Sequence, residues 1–129
     1  MHPQKLLDKI FRRKPDSFQK VIDKKAKKIS NLKNLVISTI DGFILFKSSV
    51  DEDVAISLVH NAINKLRDLM NVKEFKGSVI MHIDKGDNVL LIGYEDYGII
   101  FVTSCPKEEM ETSREIIMDL MTSVRRVFA

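Results

Sequence analysis

The pair Asp41–Gly42, set between two apolar runs, is the feature that most restricts how this chain can fold. Residues 35–40 and 43–49 are rich in β-branched and other apolar side chains. Asp-Gly suits the two positive-φ positions of a type I′ turn, so the sequence predicts a tight β-hairpin here. Apolar residues occupy successive positions in both runs, which indicates a sheet that is covered on both faces.

Helical patterns flank this hairpin. Apolar residues recur at helical spacing over 16–31, where Asp16 and Gln19 form a candidate capping box. The longest pattern covers 51–73, and its apolar positions sweep an arc of roughly 200°, wider than one sheet needs. The last helix follows Pro106, and its apolar arc spans about 140°.

Three further strands are predicted between the second and third helical patterns, over 78–84, 89–94 and 98–103. The sequence therefore predicts an α+β fold of order α-β-β-α-β-β-β-α, with a five-stranded antiparallel sheet sandwiched by helices. Tight turns make strands one and two, three and four, and four and five neighbours, and we expect strands two and three at the edges. Strand three has lysines only at its ends, and bare edges of that kind tend to be paired.

Charge divides the chain unevenly. Residues 1–30 hold ten Lys and Arg against three Asp and Glu, whereas the remainder holds eleven against fifteen. We therefore predict a basic, amphipathic, helical N-terminal arm at 1–15 ahead of a domain at 16–129. Such an arm can dock on the domain, bind an acidic partner or make peripheral contact with an anionic membrane. The basic excess lies mostly outside the expected core and the chain has no Trp, which argues against nucleic-acid binding.

None of the potentially reactive side chains in the sequence indicates an enzymatic activity. Cys105 is the single cysteine, and the histidines lack metal-ligand spacing, so we expect no catalytic residue, metal or cofactor. No phosphate-binding Gly-x-x-x-x-Gly-Lys-Ser/Thr motif occurs, so the chain is not itself a GTPase. Three aspartates next to glycines indicate turns rather than paired catalytic carboxylates. These residues are Asp41, Asp84 and Asp87.

Four exposed positions and the cellular location complete the sequence-based expectations. Arg114, Arg125 and Arg126 are expected on the solvated face of the last helix, where an arginine finger is conceivable but not favoured. Met118 is an exposed contact candidate among polar residues. The apolar runs are too short to span a membrane, Asp8 and Lys9 interrupt any secretory signal, and a lone cysteine suits a reducing compartment. We therefore expect a cytoplasmic protein.

The order of elements, with Asp41–Gly42 in the first hairpin, resembles the roadblock family of dynein light chains and their bacterial and archaeal relatives. The resemblance covers 17–128 and rests on pattern rather than on invariant residues. Longin domains have a similar sheet but begin with a strand, whereas the helix at 16–31 favours roadblock. The resemblance implies a non-enzymatic dimer, homodimeric or paired with another roadblock-like chain, that regulates or scaffolds a small Ras-like GTPase. The alternative is a structural adaptor that binds a peptide or motor-protein chain without a role in nucleotide chemistry.

Roadblock proteins pair through the long helix and the third strand. The wide apolar arc of 51–73 and the bare edge at 78–84 are the two features that such a dimer needs. No GTPase-binding residues are assigned by the sequence. The predicted dimer interface consists of Ala55, Val59, Ala62, Ile63, Leu66, Met70, Val79, Met81 and Ile83.

Overall fold

A computed structural model describes residues 15–128 of the chain. The predicted arm lies outside these residues except for Pro15, with which the first helix begins, so its boundary stays a prediction. A short 3-10 turn at Lys107–Glu109 precedes the last helix. The elements are α1 (Pro15–Lys24), α2 (Ala26–Ile29), β1 (Val36–Thr39), β2 (Ile44–Lys47), α3 (Glu52–Leu69), β3 (Ser78–Lys85), β4 (Asn88–Glu95), β5 (Ile99–Pro106) and α4 (Met110–Phe128).

The five strands form one antiparallel sheet in the order β2-β1-β5-β4-β3. This confirms the predicted α+β architecture, the three hairpin pairings and the placement of strands two and three at the edges. β3 pairs with β4 along its whole length, from Ser78 opposite Glu95 to Lys85 opposite Asn88. β2 is shorter, and its register with β1 shifts at one point.

The turn type predicted for the first hairpin is wrong. Gly42 has φ +95°, but among the described residues only glycines have positive φ, so Asp41 does not occupy a left-handed position. Instead, the Gly42 N–H donates to the Thr39 carbonyl at 2.9 Å, and the Thr39 N–H donates to the Phe43 carbonyl at 2.9 Å. The loop is therefore a three-residue connection that ends in a left-handed glycine.

Helices cover both faces of the sheet, as the successive apolar positions in β1 and β2 predicted. α3 packs against β1 and β5 on one face, whereas α1, α2 and α4 cover the other. The core on the α3 side contains Val36, Leu90, Ile92, Ile100 and Val102 of the sheet. The core on the other side contains Leu35, Ile37, Ile99 and Phe101, together with Phe18, Ile22, Ile29, Ile117, Leu120, Met121 and Val124 of the helices.

Gly93 of β4 faces α4 at close range. A Cβ atom at this position would stand 2.5 Å from Sδ of Met121 and 3.3 Å from Cγ2 of Ile117. Real Cβ atoms are not found at the first of these distances, so a larger residue at position 93 would force the Met121 side chain to move.

Candidate protein-interaction site

The edge strand β3 is paired on one side only within the described part of the chain. Side chains alternate along a strand, and directly opposed residues share a face. Val79, Met81 and Ile83 stand opposite Tyr94, Ile92 and Leu90, which belong to the core beneath α3. The three β3 side chains therefore lie on the α3 side of the sheet, where they are half-buried.

One flank of α3 faces the first hairpin. Cδ1 of Ile63 lies 3.9 Å from the position that a Cβ on Gly42 would occupy. At 100° per residue, Val54, Leu58 and Leu69 project from the opposite flank of the helix, towards β3. Leu58 is half-buried, whereas Val54 is 45% exposed and Leu69 is 63% exposed.

Together these side chains form a surface that we call the apolar strip. It follows the open edge of β3 and one flank of α3. Asn61 borders it on the helix, and Lys65 lies between its members there. Apolar side chains that reach the surface beside an unpaired strand are typical of a protein–protein contact. The apolar strip consists of Val54, Leu58, Leu69, Val79, Met81 and Ile83.

The residues predicted for the dimer interface separate into two groups. Met70 and the three β3 residues are half-buried and reach the surface. The other helical members lie between α3 and the sheet, with exposures of 7% for Ile63 and at most 1% for the rest. They have almost no side-chain surface for a second chain and act first as core residues of this one. The buried group is Ala55, Val59, Ala62, Ile63 and Leu66.

The sequence reasoning did not single out Val54, Leu58 and Leu69, although all three belong to the apolar arc of the long helix. The width of that arc was the signal that could have found them. A helix packed on one sheet buries the centre of a wide apolar arc, and the flanks of the arc remain at the surface. The candidate interface residues of α3 are therefore on its flank rather than at its centre.

The opposite side of β3 is tied to α4 by a buried carboxylate. Glu95, 1% exposed, accepts hydrogen bonds from Nε of Arg125 at 3.1 Å and from Nη2 at 2.6 Å. The Ser78 hydroxyl donates to Glu95 at 2.7 Å and lies 2.5 Å from Nη2 of Arg125. Hydrogen bonding to Glu95 raises the pKa of the Arg125 guanidinium above its ordinary value. Arg125 is therefore a structural anchor rather than a side chain that is free in solvent.

A groove of about 210 Å³ runs between β3 and α4, next to this anchor. Met118, the predicted contact residue, is 48% exposed and lines the groove. Arg114 also lines it and lies 4.0 Å from Glu111 on the same helix. The groove thus combines an adaptable apolar side chain with positive charge.

The candidate reactive groups are placed in separate environments. Cys105 is buried with Val89, Leu91 and Met110, whereas His60 and His82 are exposed. Among residues 15–128, no group of three or more His, Cys, Asp or Glu side chains could hold a metal ion. None of the helices described is long and apolar enough to cross a membrane.

Asp84 serves the turn after β3, as its glycine neighbour predicted. It accepts the Gly86 N–H at 3.1 Å and pairs with Lys107 at 3.1 Å. The hydrogen bond from Lys107 lowers the pKa of Asp84. The carboxylate therefore joins the β3–β4 turn to the 3-10 turn that precedes α4.

Neither a protein-family model nor a curated protein matches this sequence. Solved structures do match the fold. Myxococcus xanthus MglB is 12% identical over 92% of each chain, with a TM-score of 0.69. A roadblock/LC7 domain from Streptomyces avermitilis is 16% identical over 80% of this chain and 93% of its own, with a TM-score of 0.57. M. xanthus MglC is 12% identical over 86% of this chain and 96% of its own, with a TM-score of 0.50. At these identities the likeness shows a shared fold, and it confirms the roadblock architecture expected from the order of elements.

Proposed function

We propose that this chain is a non-enzymatic roadblock-type module that dimerises through the apolar strip and regulates or scaffolds a small Ras-like GTPase in the cytoplasm. The observation that carries the proposal is the apolar strip beside the open edge of β3, in a chain that has the roadblock fold. A solitary chain would leave this surface in water, at a cost of about 25 cal/mol for each Å² of apolar area.

A second copy, or a close roadblock-like relative, fits the apolar strip because it would offer the same apolar side chains and the same open strand edge. β3 is eight residues long and can pair antiparallel with β3 of another copy about a two-fold axis. This pairing would satisfy the open backbone edge and bring the two α3 flanks together. Val54 and Leu69 would then be covered without any change to the core beneath α3.

The role towards a GTPase is proposed to be one of positioning. The sequence has no phosphate-binding loop, so nucleotide chemistry would belong to the partner. Arg125 is held by Glu95 and would have to abandon a buried carboxylate to enter another active site. Regulation through contact with the mobile segments of the GTPase needs no such residue.

The direct test of this role is a binding assay with the Ras-like GTPases of the same cell. Each GTPase is loaded with GDP or with a non-hydrolysable GTP analogue and titrated with the full-length protein. We expect one of them to bind with a preference for one nucleotide state. Absence of binding to every GTPase in both states would contradict the proposal.

The adaptor alternative has its own supporting observation, the groove between β3 and α4. The exposed Met118 and the adjacent Arg114 would suit a peptide that carries apolar and acidic residues. If the GTPases fail to bind and a motor-chain peptide binds at this groove, Met118→Glu should abolish peptide binding and leave the oligomeric state unchanged.

A further inference from the structure

A second surface, on the opposite side of the sheet from α3, combines positive charge with a cavity. Lys20 and Lys24 lie one turn apart on α1, and Arg126 lies near the end of α4. All three are exposed, and they line a cavity of about 390 Å³. We call this surface the basic cavity; its other lining residues are Ser17, Val21, Lys25, Ser123 and Val127.

Three charges of the basic cavity, on Lys20, Lys24 and Arg126, differ from that of Lys25, which also lines it but helps to hold the helices together. Lys25 and Lys28 both pair with Asp119 of α4, at 2.9 and 3.4 Å, and thereby join α1 and α2 to α4. Lys20, Lys24 and Arg126 have no carboxylate within 4.0 Å among the described residues. Like charges one helical turn apart repel each other, so the proximity of Lys20 to Lys24 does not itself stabilise the helix.

The sequence that precedes α1 is also rich in positive charge. The chain enters α1 at Pro15, two residues before Ser17 of the basic cavity. Residues 1–14 contain basic and apolar side chains together. The basic ones are Lys5, Lys9, Arg12, Arg13 and Lys14, and the large apolar ones are Leu6, Leu7, Ile10 and Phe11.

This combination favours one class of partner. Single-stranded nucleic acids are bound with aromatic side chains that stack on bases, and none of the described residues that line the basic cavity is aromatic. An anionic bilayer instead presents phosphate groups to lysines and arginines, and an interior that accepts apolar side chains such as those found in the sequence of residues 1–14. The serine hydroxyls in the basic cavity can donate hydrogen bonds to the same phosphate oxygens.

We propose that the basic cavity between α1 and α4 binds the phosphate groups of anionic lipids, so that the protein associates peripherally with a negatively charged membrane surface. The membrane would contact the face of the molecule that lies opposite α3. The apolar strip would stay accessible, and membrane association and dimerisation would not compete.

Co-sedimentation of the full-length protein with vesicles tests this proposal. We expect binding to phosphatidylcholine vesicles that contain phosphatidylserine, no binding to phosphatidylcholine alone, and release by added salt. Each basic residue near such a surface strengthens binding about fivefold, so Lys20→Gln, Lys24→Gln and Arg126→Gln combined should weaken it roughly 100-fold.

A control variant with the same net charge separates the basic cavity from the overall charge of the protein. This control variant combines three substitutions of exposed lysines outside the basic cavity: Lys47→Gln, Lys73→Gln and Lys85→Gln. It should change vesicle binding less than about twofold. Thermal unfolding of both variants establishes that each is folded.

Three results would overturn the proposal. The first is equal binding of the cavity variant and the wild type to anionic vesicles, and the second is equal binding of the wild type to neutral vesicles. The third is binding to single-stranded RNA that depends on Lys20 and Lys24, without binding to vesicles, which would identify a nucleic-acid surface instead.

Discussion

The Arg125 guanidinium and the Glu95 carboxylate form a two-point contact, with Nη2 2.6 Å from Oε1 and Nε 3.1 Å from Oε2. The side chain of Glu95 is 2% exposed, whereas that of Arg125 is 49% exposed. Paired hydrogen bonds of this kind fix geometry as well as charge. The contact joins α4 to the end of β4 and, through Ser78, to the first residue of the edge strand.

The first prediction concerns this pair. Arg125→Ala leaves a buried carboxylate without its cation and should lower the free energy of unfolding by about 2–3 kcal/mol. Arg126→Ala is the matched control, because this neighbour is exposed and pairs with no described carboxylate; its effect should stay within about 0.5 kcal/mol. Urea unfolding at neutral pH measures the unfolding free energy of both variants. Equal decreases for Arg125→Ala and Arg126→Ala would contradict the assigned role of Arg125.

The second prediction tests the close approach of α4 to the sheet. Gly93→Ala should destabilise the protein by about 1–3 kcal/mol, because the new methyl group meets Met121 and Ile117. Met121→Ala is expected to cost about 2–5 kcal/mol by itself, since Met121 is 2% exposed.

The double variant Gly93→Ala, Met121→Ala tests whether the new methyl group collides with the Met121 side chain. Removal of the Met121 side chain makes room for the methyl group, so the combined loss should be smaller than the sum of the single losses by at least about 0.5 kcal/mol. Thermal or urea unfolding of the wild type, the two single variants and the double variant measures this difference in unfolding free energy. Simple additivity would show that the methyl group is accommodated elsewhere.

The third prediction concerns pH. The hydrogen bond from Lys25 lowers the pKa of Asp119, and Lys28 adds to the effect. A carboxyl group whose folded pKa lies below its unfolded value of about 3.9 contributes stability above that value, and the contribution is lost as the pH falls through the folded pKa. Because the side chain of Asp119 is 37% exposed, Asp119→Asn should cost at most about 1 kcal/mol at pH 7.

The measurement is urea unfolding of the wild type and Asp119→Asn at low ionic strength, at neutral pH and again below the unfolded pKa. The difference between the two proteins should shrink in acid. Asp68→Asn, at an exposed position of α3, serves as the control and should show little effect at either pH. A difference for Asp119→Asn that stays constant with pH would contradict the role of the ion pairs.

The fourth prediction concerns the dimer. Leu69 is 63% exposed in the single chain, so Leu69→Glu should leave the fold intact but place a charge in the proposed interface. We expect the wild type to scatter light as a dimer at micromolar concentration and the variant to scatter as a monomer of about 14.8 kDa. Met118→Glu, at a similarly exposed apolar position on α4, should remain dimeric. A monomeric wild type would refute the proposed interface.

The sheet topology could be predicted because local signals specify it. Short turns between strands leave no choice of neighbour, so 78–84, 89–94 and 98–103 had to form a meander. The turn type at Asp41 could not be derived with the same certainty, because Asp-Gly also fits a loop in which only the glycine is left-handed.

The orientation of α3 and the partner of Arg125 needed the structure. A wide apolar arc shows that a helix is extensively covered, but it does not show whether Ala62 or Leu69 faces the sheet. Arg125 and Glu95 lie thirty positions apart on different elements, so no periodic pattern connects them. Burial of a carboxylate at the end of a strand is a tertiary effect, and solvent exposure is the ordinary expectation for an arginine on a helix.

The unequal lengths of the two edge strands have a consequence for assembly size. β3 offers eight residues to a neighbour, whereas β2 offers four and has an irregular register with β1. Once two copies have joined through β3, only the short, uneven β2 margins remain at the ends of the continuous sheet. Such margins are poor templates for further strands, so the proposed association through β3 would stop at two chains rather than extend into a fibre.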